Sequence, residues 1–210
     1  MKRFSGIELV TFDVYGTLVD WRYSIGSFIE KYVSRDAVDK YFECDIREVK
    51  RYRPYKEILK TCLREVMRDK NLEYREELGE AFVRAFAKSP PFPDTLYGLY
   101  LLKKRGLRTG VISNTDRDLI EITLSGLRDL IDHIVTAQDT GFYKPDPRAF
   151  TRALEILDID KEKILHVSAY PQYDLETASS LGIKTLHLNR YGYDWRPEIM
   201  RLDEIIYLIE

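Results

Sequence analysis

The chain has 210 residues, and its 33 Lys and Arg stand against 35 Asp and Glu, which gives a formal net charge of −2. This length fits one core domain with a modest insertion. A near-neutral charge creates no field that would recruit nucleic acid or an anionic membrane, and no segment reaches membrane-spanning length. We therefore expect a small-molecule substrate as the partner.

The N-terminal residues, the two cysteines and the share of charged residues give three further expectations. Met1-Lys2-Arg3 leads into a short apolar run without the features of a secretory signal, so we expect a cytoplasmic protein. Cys44 and Cys62 form no CxxC pair and are interpreted as small apolar fillers, with a disulfide as the alternative. Charged residues make up 32% of the chain while Asn and Gln total five, a balance typical of heat-adapted proteins.

The first half of the chain predicts a strand followed by a helical insertion. Residues 7–12 are an apolar run that ends at Asp13 and is followed by a glycine turn, as expected of a buried strand. Residues 25–86 then show helical periodicity without an intervening strand. We predict a core of residues 1–20 and 90–210 and a helical cap of residues 21–89, with the proline-rich stretch 89–93 as the return hinge.

Strands and helices alternate in the second half. Strands are predicted near residues 108–112, 131–136, 164–167 and 183–188, and helices near 119–127, 148–157 and just before Gly182. This order predicts a doubly wound parallel sheet, in which ligands bind at the carboxyl ends of the strands. The polar residues that follow these strands are therefore the candidates for the functional site.

Four motifs carry these polar residues. They are Asp13-Val14-Tyr15-Gly16-Thr17-Leu18, Val111-Ile112-Ser113-Asn114, Tyr143-Lys144-Pro145-Asp146-Pro147, and the stretch from His166 to Asp174. In this order, and with a helical insertion after the first motif, they resemble the haloacid dehalogenase superfamily over nearly the whole chain. The resemblance implies a Rossmann-like α/β core with an all-helical cap.

The residue types fit the chemistry of a covalent hydrolase. A carboxylate at a strand end is fixed in position and can act as a nucleophile, which is the role expected of Asp13. Thr17 and Ser113 can donate hydroxyl hydrogen bonds, and Asn114 can donate through its amide. Lys144 places a cation beside the carboxylates, which we expect to keep Asp13 ionised.

The residue at position 15, here Tyr15, distinguishes two branches of the superfamily. The resembled phosphatases have a second Asp at this position, whereas Asp-x-Tyr-Gly-Thr resembles the motif of the 2-haloacid dehalogenases, which need no metal or other cofactor. The resemblance implies an (S)-2-haloacid dehalogenase, in which Asp13 attacks C2 of a 2-halocarboxylate and forms an ester. Asp174 and Lys144 would then help to place the water that cleaves this ester.

Substrate contacts are predicted at Tyr15 and Asn114 and in the cap. The resembled dehalogenases hold the halide and the substrate carboxylate with an arginine of a Trp-Arg pair, and here Arg47 and Arg51, which share a helical face, are the candidates. Where those enzymes have Ser-x-Asn before the last Asp, this chain has Ser168-Ala169-Tyr170. The histidines, His133, His166 and His187, are interpreted as packed core residues.

Two other functions fit the same motifs. One is a phosphatase with Mg²⁺ held by Asp13, the backbone carbonyl of Tyr15 and Asp174, since hard cations prefer oxygen ligands. The other is a non-catalytic homologue that binds a small anion. Asp174 could also serve only as the N-cap of the helix that follows it. The oligomeric state expected from the resemblance is a monomer or a homodimer.

Overall fold

The structure, a computed structural model, describes residues 3–210. Met1 and Lys2, which entered the prediction of localisation, lie outside this range. Six parallel strands form one sheet in the order β3-β2-β1-β4-β5-β6. The prediction of a doubly wound parallel sheet is therefore confirmed. The strands are β1 (Leu9–Phe12), β2 (Arg108–Ser113), β3 (His133–Thr136), β4 (Ile164–Ser168), β5 (Lys184–Leu188) and β6 (Glu198–Ile199).

Four helices follow β1, ahead of the helix that leads into β2, and no strand of the described chain interrupts them. They are α1 (Trp21–Tyr32), α2 (Val38–Glu48), α3 (Tyr55–Asp69) and α4 (Glu76–Ala87). The helices that follow are α5 (Thr95–Lys104), α6 (Arg117–Thr123), α7 (Ala137–Thr140), α8 (Pro147–Leu157) and α9 (Glu176–Ser180). Within residues 3–210, no helix combines the length and the apolar character needed to cross a membrane.

The central strand is buried on both faces, which explains its continuous apolar sequence. Side chains alternate along a strand, so Val10 and Phe12 join the large cluster shared with the cap helices, while Leu9 packs on the other face with Phe150 of α8. His133 lies on edge strand β3 and is only half-buried, so its interpretation as a packed core residue is wrong.

The chain leaves the sheet and returns to it through two paired segments. The backbone N–H of Asp20 donates to the carbonyl of Pro90 at 2.8 Å, and the N–H of Phe92 donates to the carbonyl of Leu18 at 3.0 Å. These bonds lie at the predicted hinge. The division into a core and a cap at residues 20 and 90 stays a prediction.

A core residue anchors the cap above the sheet. The carboxylate of Asp116, just after β2, accepts hydrogen bonds from the N–H groups of Tyr55 at 2.9 Å and Lys56 at 3.0 Å. These N–H groups belong to the first two residues of α3. The N-terminus of a helix has free donors and a partial positive charge. The hydroxyl of Tyr143 adds a bond of 2.7 Å to the carbonyl of Arg53. Together these contacts hold the start of α3 over the carboxyl edge of the sheet.

Cys44 and Cys62 form a disulfide that joins α2 to α3, with a Cα–Cα distance of 5.6 Å. The prediction that both are apolar fillers is wrong, and the alternative is the one observed. The cause is packing, because both residues lie on the buried faces of helices that contact each other. Sequence spacing could not reveal that these two faces meet.

Candidate active site

Asp13 lies at the carboxyl end of central strand β1, where a tight turn follows it. The N–H of Asp13 donates to Val167 of β4 at 3.1 Å. Gly16 has a φ of +93°, and a Cβ there would lie 2.2 Å from the hydroxyl oxygen of Tyr170. Only glycine fits this conformation and this close approach. The turn thus fixes where the Asp13 carboxylate points.

Three buried charged groups form the centre of the site. The ammonium of Lys144 lies 3.0 Å from Oδ1 of Asp13 and 2.5 Å from Oδ1 of Asp174. It also donates to the carbonyl of Ile112 at 2.7 Å. Thr17 donates its hydroxyl to Oδ2 of Asp13 at 2.9 Å, as the sequence predicted. Both oxygens of Asp13 are therefore held by hydrogen bonds.

The two carboxyl groups differ in acidity. Burial raises the pKa of Asp13, and the nearby charge of Asp174 adds to this, whereas Lys144 and Thr17 oppose it without reversing it. Burial would also raise the pKa of Asp174, but Lys144 and His166 together lower it. Asp174 is thus the more stable anion. Lys144 favours the ionised form of Asp13, but it does not offset the effect of burial on the pKa. The expectation from sequence was that Lys144 would keep Asp13 ionised.

Asp174 is held by two polar side chains of β4. Ser168 donates its hydroxyl to Oδ2 at 2.9 Å, and Nε2 of His166 lies 3.1 Å from Oδ1. Because an ionised carboxylate only accepts hydrogen bonds, Nε2 carries the proton, and Nδ1 can accept from Thr11 at 2.9 Å. His166 is a buried core residue, as predicted, and in addition it bonds to Asp174. Asp174 does not cap a helix: it lies within the turn Pro171–Leu175, and its carboxylate bonds to side chains of the site.

One signal in the sequence could have identified this role of His166. His166 and Ser168 are two residues apart in a strand and so share a face. Asp174 follows within a π-helical turn, Pro171–Leu175, which inserts one residue relative to an α-helix. This turn brings the carboxylate back onto the face that the two strand residues share. Sequence periodicity does not predict such a turn.

Of the two polar residues of the second motif at the end of β2, only Asn114 reaches the site. Its side chain accepts from the backbone N–H of Lys144 at 2.8 Å and donates to the carbonyl of Lys144 at 2.9 Å. It therefore fixes the loop that presents Lys144. Ser113 is buried, its hydroxyl has no hydrogen-bond partner among residues 3–210, and it does not line the cavity described below. Its catalytic role stays a prediction.

The Tyr15 side chain forms part of the cavity wall, and its hydroxyl does not serve as an acid. Its ring stacks on Phe86 at a centroid distance of 4.1 Å, and its hydroxyl lies 2.7 Å from Oγ1 of Thr123. Burial raises the pKa of Tyr15, and the bond to Thr123 opposes this only partly. The hydroxyl is thus committed to α6 and is held in its protonated form.

A cavity of about 110 Å³ lies between the carboxyl edge of the sheet and the cap. The core lines it with the three buried charged groups, Asn114, two tyrosines of the last motif and Tyr15, and the cap lines it with residues of α1, α2 and α3. The lining residues are Asp13, Tyr15, Trp21, Arg22, Phe42, Asp45, Ile46, Val49, Tyr55, Asn114, Lys144, Tyr170, Tyr173 and Asp174.

The arginine at this cavity is not one of those predicted. Arg47 is bonded to Glu65 at 2.6 Å and is exposed, and Arg51 is exposed outside the cavity, so the structure brings neither of them to the site and their substrate contacts stay predictions. Arg22 lines the cavity instead, with its guanidinium 4.5 Å from the ring centroid of Tyr191. Among residues 3–210, no carboxylate lies within 4 Å of it, so Arg22 is available to an anion.

A Trp-Arg pair was the signal that could have identified Arg22. Trp21 and Arg22 begin α1, directly after the first motif. The indole N–H of Trp21 donates to the hydroxyl of Tyr170 at 3.2 Å. Arg47 and Arg51 were chosen from helical periodicity alone, which indicates a shared face but not the direction of that face.

Comparison with known proteins identifies the family. A family model described as a haloacid dehalogenase-like hydrolase matches residues 7–182. The chain belongs to this family. The resemblance inferred from the four motifs is therefore confirmed, and the chain is placed among hydrolases.

Relatives of this haloacid dehalogenase-like hydrolase have two different activities. A protein of Pseudomonas sp. (strain YL) named (S)-2-haloacid dehalogenase is 28% identical, over 97% of this chain and 95% of that protein. A protein of Aquifex aeolicus (strain VF5) named phosphoglycolate phosphatase is 29% identical, over 89% of this chain and 86% of that protein. Sequence identity alone does not choose between the two.

The fold of this hydrolase is that of a solved dehalogenase. The L-2-haloacid dehalogenase of Xanthobacter autotrophicus, with chloropropionic acid covalently bound, superposes with a TM-score of 0.85 at 18% identity, over 96% of this chain and 98% of that chain. At this identity the comparison establishes the fold. The chemistry must be argued from the site.

The site of this hydrolase suits Mg²⁺ poorly. Of the alternative ligand set predicted from sequence, Asp13 already binds Lys144 and Thr17, and Asp174 binds Lys144, His166 and Ser168. All four carboxylate oxygens thus accept a hydrogen bond from a protein group. A cation that took six oxygen ligands at about 2 Å would have to compete with the ammonium of Lys144.

Proposed function

We propose that this chain hydrolyses carbon–halide bonds of small 2-halocarboxylates, as an (S)-2-haloacid dehalogenase that acts through an ester on Asp13. The observation that carries the proposal is the pairing of a buried carboxylate, held by Lys144 and Thr17, with a tyrosine whose hydroxyl is committed to Thr123. The position that would hold an acid for an alcohol leaving group holds none. A halide ion leaves without a proton, so this site can expel it.

The reaction follows from this geometry. A carboxylate oxygen of Asp13 forms a bond to C2 of the substrate from the side opposite the halogen, and the halide leaves with the bonding electron pair. The configuration at C2 is inverted. Water then attacks Cγ of Asp13, the ester bond breaks, and the products are a 2-hydroxycarboxylate, a halide ion and one proton. Lys144 and Asp174 lie where they can orient this water.

Arg22 supports the choice of an anionic substrate. Its guanidinium has no carboxylate partner in the described chain and lies at the cavity that contains Asp13. A guanidinium presents paired donors to a carboxylate, which fixes the orientation of the substrate as well as its charge. We infer that Arg22 binds the substrate carboxylate or the departing halide.

The test is halide release from (S)- and (R)-2-chloropropionate, with and without a metal chelator, by the natural chain and by Asp13→Asn. We expect release from the (S) enantiomer that survives chelation and disappears in the variant, because an amide is a poor nucleophile. No release from either enantiomer would contradict the proposal.

A Mg²⁺-dependent phosphatase is the second candidate, and the Aquifex relative is the observation that favours it. Hydrolysis of phosphate esters that requires Mg²⁺ would support it in the same assay series. A chain that binds small anions but turns over neither class of substrate would fit the non-catalytic alternative.

The cellular setting is also a proposal. We infer a heat-adapted protein of the cytoplasm, because intracellular disulfides are common in hyperthermophiles and rare elsewhere. The bond between Cys44 and Cys62 and the ion pairs of Lys60 with Glu76 and Glu80 support this inference. Whether the chain is a monomer or a homodimer stays a prediction.

A further inference from the structure

The cap wall of the cavity contains a carboxyl group that the proposed reaction does not use. Asp45 lies on α2 beside Ile46 and Val49, which also line the cavity, and it is 7% exposed. Among residues 3–210, it is the one cavity-lining carboxyl group without a cationic side chain within 4.0 Å. Asp13 and Asp174, in contrast, share Lys144.

One oxygen of Asp45 is paired and the other is free. Oδ1 accepts a hydrogen bond of 2.8 Å from the hydroxyl of Tyr55, while Oδ2 has no hydrogen-bond partner in the described part of the chain. Burial raises the pKa of Asp45 to about 7, which the bond from Tyr55 opposes only in part. Its titratable neighbours are tyrosines, whose pKa values are raised by burial and, to a smaller extent, by the charge of Asp45: Tyr41, Tyr55, Tyr143 and Tyr173.

A free polar atom in a closed site discriminates between substrates. If an alkyl group is pressed against Oδ2, the oxygen loses contact with water and gains no partner, which costs binding free energy. A hydroxyl group of the same size supplies the missing hydrogen bond. Sites built in this way strongly reject the analogue that lacks the polar group.

The lining of the cavity indicates which part of the substrate lies against Asp45. In the proposed reaction C2 faces Asp13, and we expect the substrate carboxylate at Arg22, within a cavity of about 110 Å³. The substituent on C2 is then left for the wall of α2. Three side chains of this wall are apolar, namely Phe42, Ile46 and Val49, and Asp45 is its polar member.

We infer that Asp45 determines substrate specificity: its free oxygen pairs with a hydrogen-bond donor on C3, so that the preferred substrates are 2-halocarboxylates with a hydroxyl or similar polar group at C3. This inference rests on the proposed function and extends it from a reaction type to a substrate class.

The first experiment compares kcat/KM for two substrates of equal size, 2-chloro-3-hydroxypropionate and 2-chlorobutyrate. The natural chain should prefer the hydroxylated substrate by about tenfold or more, the worth of one hydrogen bond to a buried group. Asp45→Leu should reverse this preference, and Asp45→Asn, which keeps a polar atom at this place, should retain it. Glu43→Gln, on the exposed face of α2, is the control and should change nothing. Equal use of both substrates by the natural chain, or an unchanged ratio in Asp45→Leu, would overturn the inference.

A second experiment does not depend on halide chemistry. Calorimetry measures the binding of 2,3-dihydroxypropionate and 2-hydroxybutyrate, which carry no halogen, to the natural chain and to Asp45→Leu. Tighter binding of the dihydroxy acid, lost in the variant, supports the role of Asp45 even if no halide is released, a result that would refute only the proposed function. Equal binding of the two acids overturns the inference even if dehalogenation is observed.

Discussion

Lys144 contacts two carboxylates at once, and their environments give them different properties. Asp174 is further stabilised by His166 and Ser168, so it remains an anion and holds the ammonium in place. Asp13 has a pKa raised by burial, and a carboxylate that is costly to keep ionised is also a more reactive nucleophile. This difference supports the proposal that Asp13 is the nucleophile.

Replacement of Arg22 tests which arginine serves the cavity. Arg22→Ala should raise KM for (S)-2-chloropropionate by about tenfold to a hundredfold, since a hydrogen bond to a charged group contributes about 1.5–3 kcal/mol. Arg22→Lys should restore only part of this, because an ammonium lacks the paired donors of a guanidinium. Steady-state kinetics measures both variants. Arg47→Ala is the matched control, and a similar loss in that variant would contradict the assignment.

The buried carboxyl of Asp45 predicts a dependence of stability on pH. Its pKa is about 7 in the folded protein and near 3.8 in the unfolded chain, so the folded state binds the proton more tightly. The resulting stabilisation is complete below pH 4 and is lost as pH rises through 7. Relative to Asp45→Asn, the natural chain should lose on the order of 3–4 kcal/mol of unfolding free energy over this range.

Denaturant unfolding of both proteins between pH 4 and pH 8 measures this difference. The two proteins differ at one residue, so the contributions of the other titrating groups cancel in the comparison. A constant difference across the range would show that Asp45 ionises as it does in the unfolded chain.

At the scale of elements, the start of α3 connects the cap to the core. Asp116→Ala removes the acceptor for two free N–H groups and should lower the free energy of unfolding by about 1 kcal/mol. Because Asp116 also holds the cap over the cavity, KM should rise severalfold. Chemical denaturation and kinetics are the measurements. Asp118→Ala, which removes only an exposed ion pair with Lys56, is the control and should leave both quantities nearly unchanged.

The elements differ in how well the sequence predicts them. Strand β1, the cap helices and the alternation after residue 90 follow from apolar periodicity and turn residues, which are local signals. Strand β6 was not predicted because it comprises two residues, Glu198–Ile199, beside a proline. The π-helical turn before α9 and the disulfide between α2 and α3 were also beyond local signals, since both depend on how distant faces pack.

At the scale of the site, the sequence predicted the residues that belong to strand ends. Asp13 and Thr17 follow β1, and Asp174 follows β4, its neighbour in the sheet. Lys144 lies in the loop after α7, which Asn114 fixes at the end of β2. The cap residues could not be predicted in this way, because periodicity gives a shared helical face without its direction. Arg47 was therefore chosen although Arg22 lines the cavity.

At the scale of the whole molecule, the fold builds the site from distant parts of the chain. The parallel sheet brings the first motif within hydrogen-bonding distance of residues more than a hundred positions away, as in the contact of Asp13 with Lys144. The cap closes over this edge and supplies Arg22 and Asp45. In the proposed reaction the sheet therefore provides the reacting group, and the cap provides the groups expected to select the substrate.

The central claim is that Asp13 forms a covalent ester, and a single turnover in heavy-oxygen water tests it most directly. With enzyme in excess over (S)-2-chloropropionate, the water oxygen should enter the carboxylate of Asp13, and the first 2-hydroxypropionate released should be unlabelled, because its new oxygen comes from the enzyme. Mass spectrometry of the peptide that contains Asp13 and of the product measures both. Heavy oxygen in the product with an unlabelled peptide would mean that water attacks C2 directly, and it would contradict the assignment of Asp13 as the nucleophile.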